Sequence, residues 1–259
     1  MNKIYFVDVT NRDGVQTSRL GLAKLQKTII NLMLDDMGVT QSEFGFPTTM
    51  HELNYLNANL ELVERNVITN TKLSGWMRAI ASDVELSFKN VPKLKNCNLS
   101  QSTSEQMIYG KYLGKKTPED ILRLSCEAVE CAVDKGAEII GVNAEDASRS
   151  DINFLIKLGK EVKNSGAYRF RYCDTLGYDD PKTAYDRIYE IAKATKMPIE
   201  MHFHNDLGMA TACSVMGAKA AIEAGVDAYI NTAINGMGER AGNADLVSCM
   251  LAILKSSGF

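Results

Sequence analysis

The chain has 259 residues, with 29 lysines and arginines against 32 aspartates and glutamates, for a formal net charge of −3. A balance this mild gives no reason to expect nucleic-acid or membrane-surface binding, and 45% hydrophobic with 24% charged residues is a globular rather than a disordered composition. No apolar run approaches the ~18 residues that a membrane span needs, Asp8 comes too early for a secretory leader, and the six cysteines form no Cys-x-x-Cys pair, so a cytoplasmic protein with buried thiols is expected.

Read in chain order, short β-rich runs alternate with helical stretches. Strands are expected at 4–9, 41–45, 73–79, 94–100, 138–143, 168–173, 198–203 and 226–231. Helices are expected at 18–37, 50–66, 81–90, 117–135, 149–164, 181–195, 209–224 and 243–256. The helix at 117 opens on Thr117 as N-cap with Pro118 in the first turn and Asp120 near the positive dipole end. Pro181 opens another after Asp179 and Asp180. Gly38, Gly136 and Gly225 each stop a helix before the next strand. Eight strand–helix units in about 250 residues fit an α/β fold of the (β/α)8 type, a TIM barrel. An open doubly wound sheet is the competitor, weakened because no Gly-x-Gly-x-x-Gly follows the first strand. With no linker or low-complexity tract, residues 1–259 read as one catalytic barrel domain.

The active site of such a barrel is built at the carboxyl ends of its strands, and the polar residues of this chain gather there. His202-x-His204 is the most informative pair, because residues i and i+2 of a strand share a face. Two imidazoles side by side, with Asp13 as third ligand, make a natural metal site; the alternative is a pair of core hydrogen bonds. Arg12 can polarise a carbonyl and stabilise an alkoxide, or merely pair with a neighbouring carboxylate. Gln16 and Glu43 can take substrate polar groups or fix loop geometry. Thr175 can bind a carboxylate or hydrogen-bond to backbone. Arg78 has a barrel-mouth and a surface reading, and Glu239 and Arg240 can simply pair with each other. His51 reads as surface. Gly236, Gly238 and Gly242 point to tight turns or close backbone approach.

Five motifs then fall in order: Asp8-x-Thr10-x-Arg12-Asp13-Gly14-x-Gln16, Glu145-Asp146-Ala147-x-Arg149, Asp174-Thr175-x-Gly177, His202-x-His204-Asn205-Asp206-x-Gly208-x-Ala210, and Gly238-Glu239-Arg240-Ala241-Gly242-Asn243-Ala244. Together, over residues 4 to 256, they resemble the metal-dependent TIM-barrel family of 2-isopropylmalate synthase, homocitrate synthase and hydroxymethylglutaryl-CoA lyase. The last motif is similar to that of the condensing synthases, where the lyases carry a Gly-Cys-Pro loop. Ser42-Glu43-Phe44-Gly45-Phe46-Pro47 and Trp76-x-Arg78-Ala79 most resemble the homocitrate synthases of nitrogen fixation.

The resemblance implies a transferase condensing acetyl-CoA with 2-oxoglutarate to give homocitrate and CoA. It implies a divalent metal (Mn2+, Mg2+, Co2+ or Zn2+) on Asp13, His202 and His204, with Asn243 as a weaker fourth ligand. By the same transfer Arg12 polarises the 2-oxo group and Glu145 assists proton transfer, while Gln16, Glu43, Arg78 and Thr175 hold the oxo acid. Gly141 stands where some homocitrate synthases carry an arginine for the distal carboxylate, and the first motif reads Asp-Val-Thr-Asn-Arg-Asp in place of the common Asp-Thr-Thr-Leu-Arg-Asp. Synthases of the family continue past the barrel into a segment that completes the site and holds a dimer. The expectation is therefore a homodimer, or a subunit of a split synthase whose partner chain supplies that segment. The alternatives are a 2-isopropylmalate or citramalate synthase, a metal-dependent lyase or aldolase, and a non-catalytic regulatory barrel.

Overall fold

The structure is a computed structural model and describes residues 2–255. Eight parallel strands close into a barrel in sequence order: β1 (Ile4–Asp8), β2 (Gln41–Gly45), β3 (Lys72–Arg78), β4 (Asn96–Ser102), β5 (Ile139–Glu145), β6 (Arg169–Asp174), β7 (Ile199–Phe203) and β8 (Ala228–Thr232), with β8 pairing back onto β1. The helices between them are α1 (Lys24–Asp36), α2 (Leu53–Glu64), α3 (Ala81–Asn90), α4 (Glu105–Tyr112), α5 (Pro118–Asp134), α6 (Ile152–Asn164), α7 (Pro181–Thr195), α8 (Ala210–Glu223) and α9 (Leu246–Lys255). The (β/α)8 barrel expected from the alternation is the observed fold. Among the described residues no helix is long and apolar enough to cross a membrane.

Local chemistry fixes the helix starts. Thr117 and Asp120 form a reciprocal capping box ahead of Pro118, and Asp180 accepts from the backbone N–H groups of Lys182 and Thr183 ahead of Pro181. Four expected starts are corrected: α2 opens at Leu53 rather than 50, after a 3-10 turn at Met50–Glu52, and α9 at Leu246 rather than 243. Helix α1 opens at Lys24 rather than 18, because Gly14–Gln16 form a 3-10 turn and Arg19 takes a left-handed backbone. Helix α6 opens at Ile152 rather than 149, because Ser150 is extended and Asp151 caps the helix on Phe154 N. One helix was not expected. Helix α4 starts on a Ser104 cap and ends at Leu113 in the left-handed region, and Ile108 is its one buried residue. It therefore lacks the apolar stripe by which amphipathic helices are read. Residue 256 of the last expected helix lies outside the described residues.

Alternation along the strands separates two interiors. Val142, Phe170 and Met201 belong to the apolar core shared with the surrounding helices. The alternate positions are polar and lie in levels across neighbouring strands. Asn98, Gly141 and Arg169 are successive partners, and one level nearer the carboxyl ends so are Ser100, Asn143, Arg171 and Glu200. Glu43, Arg169, Arg171 and Glu200 are all essentially inaccessible to solvent. Where aliphatic side chains usually fill such a barrel, this one is filled by a chain of ion pairs. Of the six cysteines, all free, Cys97, Cys173, Cys213 and Cys249 are buried and Cys126 and Cys131 half-buried.

Candidate active site and metal centre

A cavity of about 190 Å3 opens at the carboxyl ends of the strands, lined among others by Arg12, Asp13, Glu145, Thr175, His202 and His204. His202 lies on β7 and His204 just beyond its end, where Gly242 O, accepting from Asn205 N, ties the segment to the loop after β8. That loop passes very close to itself. A Cβ on Gly242 would stand 2.1 Å from the backbone Gly236 O, so that position tolerates no side chain, and one on Gly238 would stand 2.2 Å from the Asn243 amide and displace it.

Asp13, His202 and His204 converge, with one ligand atom from each inside a 4.8 Å group. His202 Nε2 is 3.2 Å from His204 Nε2 and 3.2 Å from Asp13 Oδ2, and His204 Nε2 is 3.8 Å from the same oxygen. The tautomer of His202 follows from its other side. Asn231 Nδ2 donates to Glu200 Oε1, so Asn231 Oδ1 accepts, 2.8 Å from His202 Nδ1. Nδ1 then carries the proton, and Nε2 turns a lone pair toward a carboxylate and a second imidazole. Burial, with His202 beside it, pushes His204 down to about 3, so that ring is neutral. Burial by itself raises Asp13, but the Arg12 guanidinium beside it outweighs burial and holds the carboxyl well below the usual range. Asp13 Oδ2 has no hydrogen-bond donor. Three acceptors facing one another with no proton between them fit a cation, and the mixed oxygen–imidazole set suits a divalent one. Asn243, the expected weaker ligand, gives its N–H to Met237 O and keeps a buried, unpartnered Oδ1, next to His204 across an isolated bridge.

Arg12 is anchored from below. Its Nε and one terminal nitrogen lie 2.7 Å from Glu43 Oε2, another terminal nitrogen lies 3.5 Å from Asp13, and the guanidinium carbon lies 5.8 Å from the Trp76 ring centre. Burial raises Glu43, yet Arg12 and Arg171 overcome it and bring the carboxyl down to about 2. The ion pairs continue from Glu43 to Arg171, from Arg171 to Glu200 and from Glu200 to Arg169, with Asn98 donating to Glu43 Oε1 at 2.6 Å.

Two of the residues expected to hold the oxo acid stand away from this cavity. Glu43 does not line the cavity, because both its oxygens are spent on Arg12, Arg171 and Asn98 beneath it. Arg78 forks onto Asp83, two-thirds exposed, and faces an adjoining cavity. Gln16 and Thr175 do line the site. Gln16 Nε2 donates to Glu239 at 3.1 Å, and Thr175 Oγ1 accepts from Asp146 N at 2.9 Å, which leaves its O–H free to donate. Glu145 holds Lys111 of α4 at 2.5 Å and accepts from Ser102 at 2.6 Å. Arg240 pairs with Asp206 at 2.8 Å more closely than with Glu239 at 3.4 Å. His51 lies in a separate cleft against α1. Cys173 also lines the site, but burial pushes its thiol far up, so it stays protonated. Sequence reasoning missed Arg171, Asn143, Ser100 and Lys111. The signal for the first was the alternation Arg169-x-Arg171-x-Cys173, in phase with the inward positions of β6.

The fold and the cluster define a TIM-barrel protein with an Asp–His–His centre at the strand carboxyl ends. The chain belongs to the HMGL-like family, whose profile matches residues 3–257. It is 60% identical over 259 residues to the citrate (Re)-synthase of Dehalococcoides mccartyi, covering 100% of this chain and 62% of that protein. It is 34% identical to homocitrate synthase 1 of a Nostoc species, covering 100% of this chain and 65% of that one. The chain thus spans less than two thirds of the length of these curated relatives. Among solved structures, hydroxymethylglutaryl-CoA lyase from Pseudomonas aeruginosa superposes with a TM-score of 0.78 at 16% identity, over 98% of this chain and 85% of that one, a likeness of fold.

Proposed function

We propose that this chain is the condensing barrel of an acetyl-CoA-dependent synthase, and that it joins the acetyl methyl carbon to the ketone of oxaloacetate to give citrate. The observation that carries the reaction class is the convergence of the Asp13–His202–His204 cluster, Arg12 and Glu145 on one cavity. The choice of acid leans on the 60% identity to a citrate (Re)-synthase, against 34% to a homocitrate synthase. The expectation of 2-oxoglutarate is revised accordingly; that acid is one methylene longer than oxaloacetate.

Asp13, His202 and His204, with Asn243 Oδ1 beside them, would hold a divalent cation (Mn2+, Mg2+, Co2+ or Zn2+). A cation there supplies Lewis-acid polarisation of the oxo acid. The remaining work falls to side chains. Thr175 donates its free O–H to the acid's carboxylate. Glu145 takes a proton from the acetyl methyl group. The resulting enolate carbon bonds to the ketone carbon, and the displaced π pair becomes an alkoxide. Arg12, held rigidly by Glu43, meets that charge as it forms, and the alkoxide then takes back the proton that Glu145 holds, which gives the hydroxyl and restores the base. Water then cleaves the thioester, and CoA leaves as the thiol. Phe46 and Trp76, packed edge to face with ring centres 5.5 Å apart, wall the site against solvent.

The test is CoA release from acetyl-CoA with a thiol reagent as readout, in Mg2+ or Mn2+, comparing oxaloacetate, 2-oxoglutarate, 2-oxoisovalerate and pyruvate. Release driven by oxaloacetate is the expected result. Release driven by another of the acids would keep the reaction and replace the substrate, and no release with any acid would overturn the proposal.

A further inference from the structure

Beneath the cluster, on the same cavity, lies a second group of polar side chains that the condensation just described does not use. Ser100, Asn143 and Arg171 are successive partners on β4, β5 and β6, so they stand side by side at one level of the barrel. All three line the cavity that Arg12 and the histidines line above them. On β6 and β7 the cluster level is that of Cys173 and His202, two residues further along each strand than Arg171 and Glu200.

Two atoms of this group have no partner. Arg171 is 1% exposed and gives one terminal nitrogen to Glu43 and Glu200, but its Nε donates to nothing. Asn143, equally buried, has an unpartnered Oδ1. Leaving a guanidinium N–H unsatisfied in a buried place is costly, and the side chains of both Arg171 and Asn143 line the cavity. The level below allows this arrangement. Gly141 has no side chain, and a Cβ there would stand 2.2 Å from Asn98 Oδ1, so Asn98 and Arg169 occupy that room and close the floor.

Beneath the cluster the buried guanidinium groups of Arg169 and Arg171 are matched by Glu43 and Glu200, so no unpaired carboxylate stands at this level to repel an acidic substrate arm.

We propose that Arg171 and Asn143 determine the choice of oxo acid by binding a second carboxylate carried on the short arm of the substrate. This deepens the function proposed above and rests on it for the location of the acid. An acid held by its ketone end beside Arg12 presents its other end to the level beneath, where Arg171 donates to one carboxylate oxygen and the Asn143 amide N–H to the other. Acids with an apolar arm would leave the Arg171 Nε–H buried and unpaired and the Asn143 N–H without an acceptor, and such a site rejects the analogue that lacks the polar group.

The test uses binding, which does not depend on turnover. Malate and lactate are stable 2-hydroxy acids that differ by one carboxylate, and each is titrated calorimetrically into the 259-residue chain in Mg2+. The wild type is expected to bind malate at least about tenfold more tightly than lactate, the worth of one charge-assisted hydrogen bond. In Arg171→Lys and in Asn143→Ala that ratio is expected to fall about fivefold or more, with lactate affinity nearly unchanged. Equal weakening of both acids would mean that Arg171 and Asn143 only support the barrel, and would overturn the proposal. So would a wild type that does not distinguish the two acids. Should Arg171→Lys fail to fold, because Glu43 and Glu200 lose their shared cation, Asn143→Ala decides alone. A ratio that holds without CoA release would sink the condensation and keep the subsite; the opposite pair of results would sink the subsite and keep the condensation.

Discussion

Arg12 and Glu43 meet through two nitrogens of one guanidinium on a single carboxylate oxygen, each contact 2.7 Å, with Glu43 fully buried on β2 and Arg12 in the loop after β1. The carboxylate holds Arg12 below the cavity wall, so that the guanidinium keeps one orientation toward the reacting carbonyl. Glu43→Gln removes the charge from between Arg12 and Arg171 and is expected to cost about 3–5 kcal/mol of stability, the range for breaking a buried ion pair. Urea unfolding of the two proteins measures this.

The same pair gives a pH dependence of definite sign. Glu43 is held down to about 2 in the folded chain against an ordinary value of 4.5. Its contribution is therefore complete above about pH 4.5 and is lost as pH falls toward 2, because the unfolded chain binds the proton first. The stability gap between wild type and Glu43→Gln is expected to close over that window and to stay constant from pH 5 to 8.

Asp8 runs the other way. It is buried with both oxygens on Thr10, and burial raises its carboxyl to about 7 against an ordinary 3.8. The folded chain then holds a proton that the unfolded chain has released, so stability falls as pH rises from about 4 to 7 and levels off above. Asp8→Asn is expected to lack that slope, which unfolding curves at pH 5 and 8 would show.

For the cation site the orienting partner is as testable as the ligands. Asn231 fixes the tautomer of His202 by accepting from Nδ1. Asn231→Ala is expected to weaken Mn2+ binding by about 10–100-fold, as loss of such a partner does, and His202→Ala by more. Titration of Mn2+ followed by its paramagnetic resonance reads both.

Arg12→Lys keeps the charge and loses the fork. It is expected to lower kcat by about 100-fold or more while KM for the acid changes little, since the group acts on charge formed in the transition state.

How much of this was legible in the sequence follows from which interactions are local. Strand β2 and helices α3 and α7 were read to the residue because caps, prolines and alternation are local signals. The cluster was legible too: His202-x-His204 shares a face by strand geometry alone, and Asp13 closes the strand-1 motif. The role of Glu43 was not, because its partners Asn98 and Arg171 lie 55 and 128 residues away. Arg171 escaped notice for the same reason. A charged residue in a strand reads as solvent-facing, and only closure of the barrel makes that position interior. Lys111 reaches Glu145 from a helix whose sequence has no apolar stripe to announce it.

The central claim is that the barrel forms a carbon–carbon bond. The most direct measurement supplies acetyl-CoA labelled with 13C at the methyl carbon together with oxaloacetate, and follows the label by NMR. The account requires the label to appear in a methylene of citrate as CoA is released. Label recovered only as acetate, or left in acetyl-CoA while the cation is bound, would contradict it.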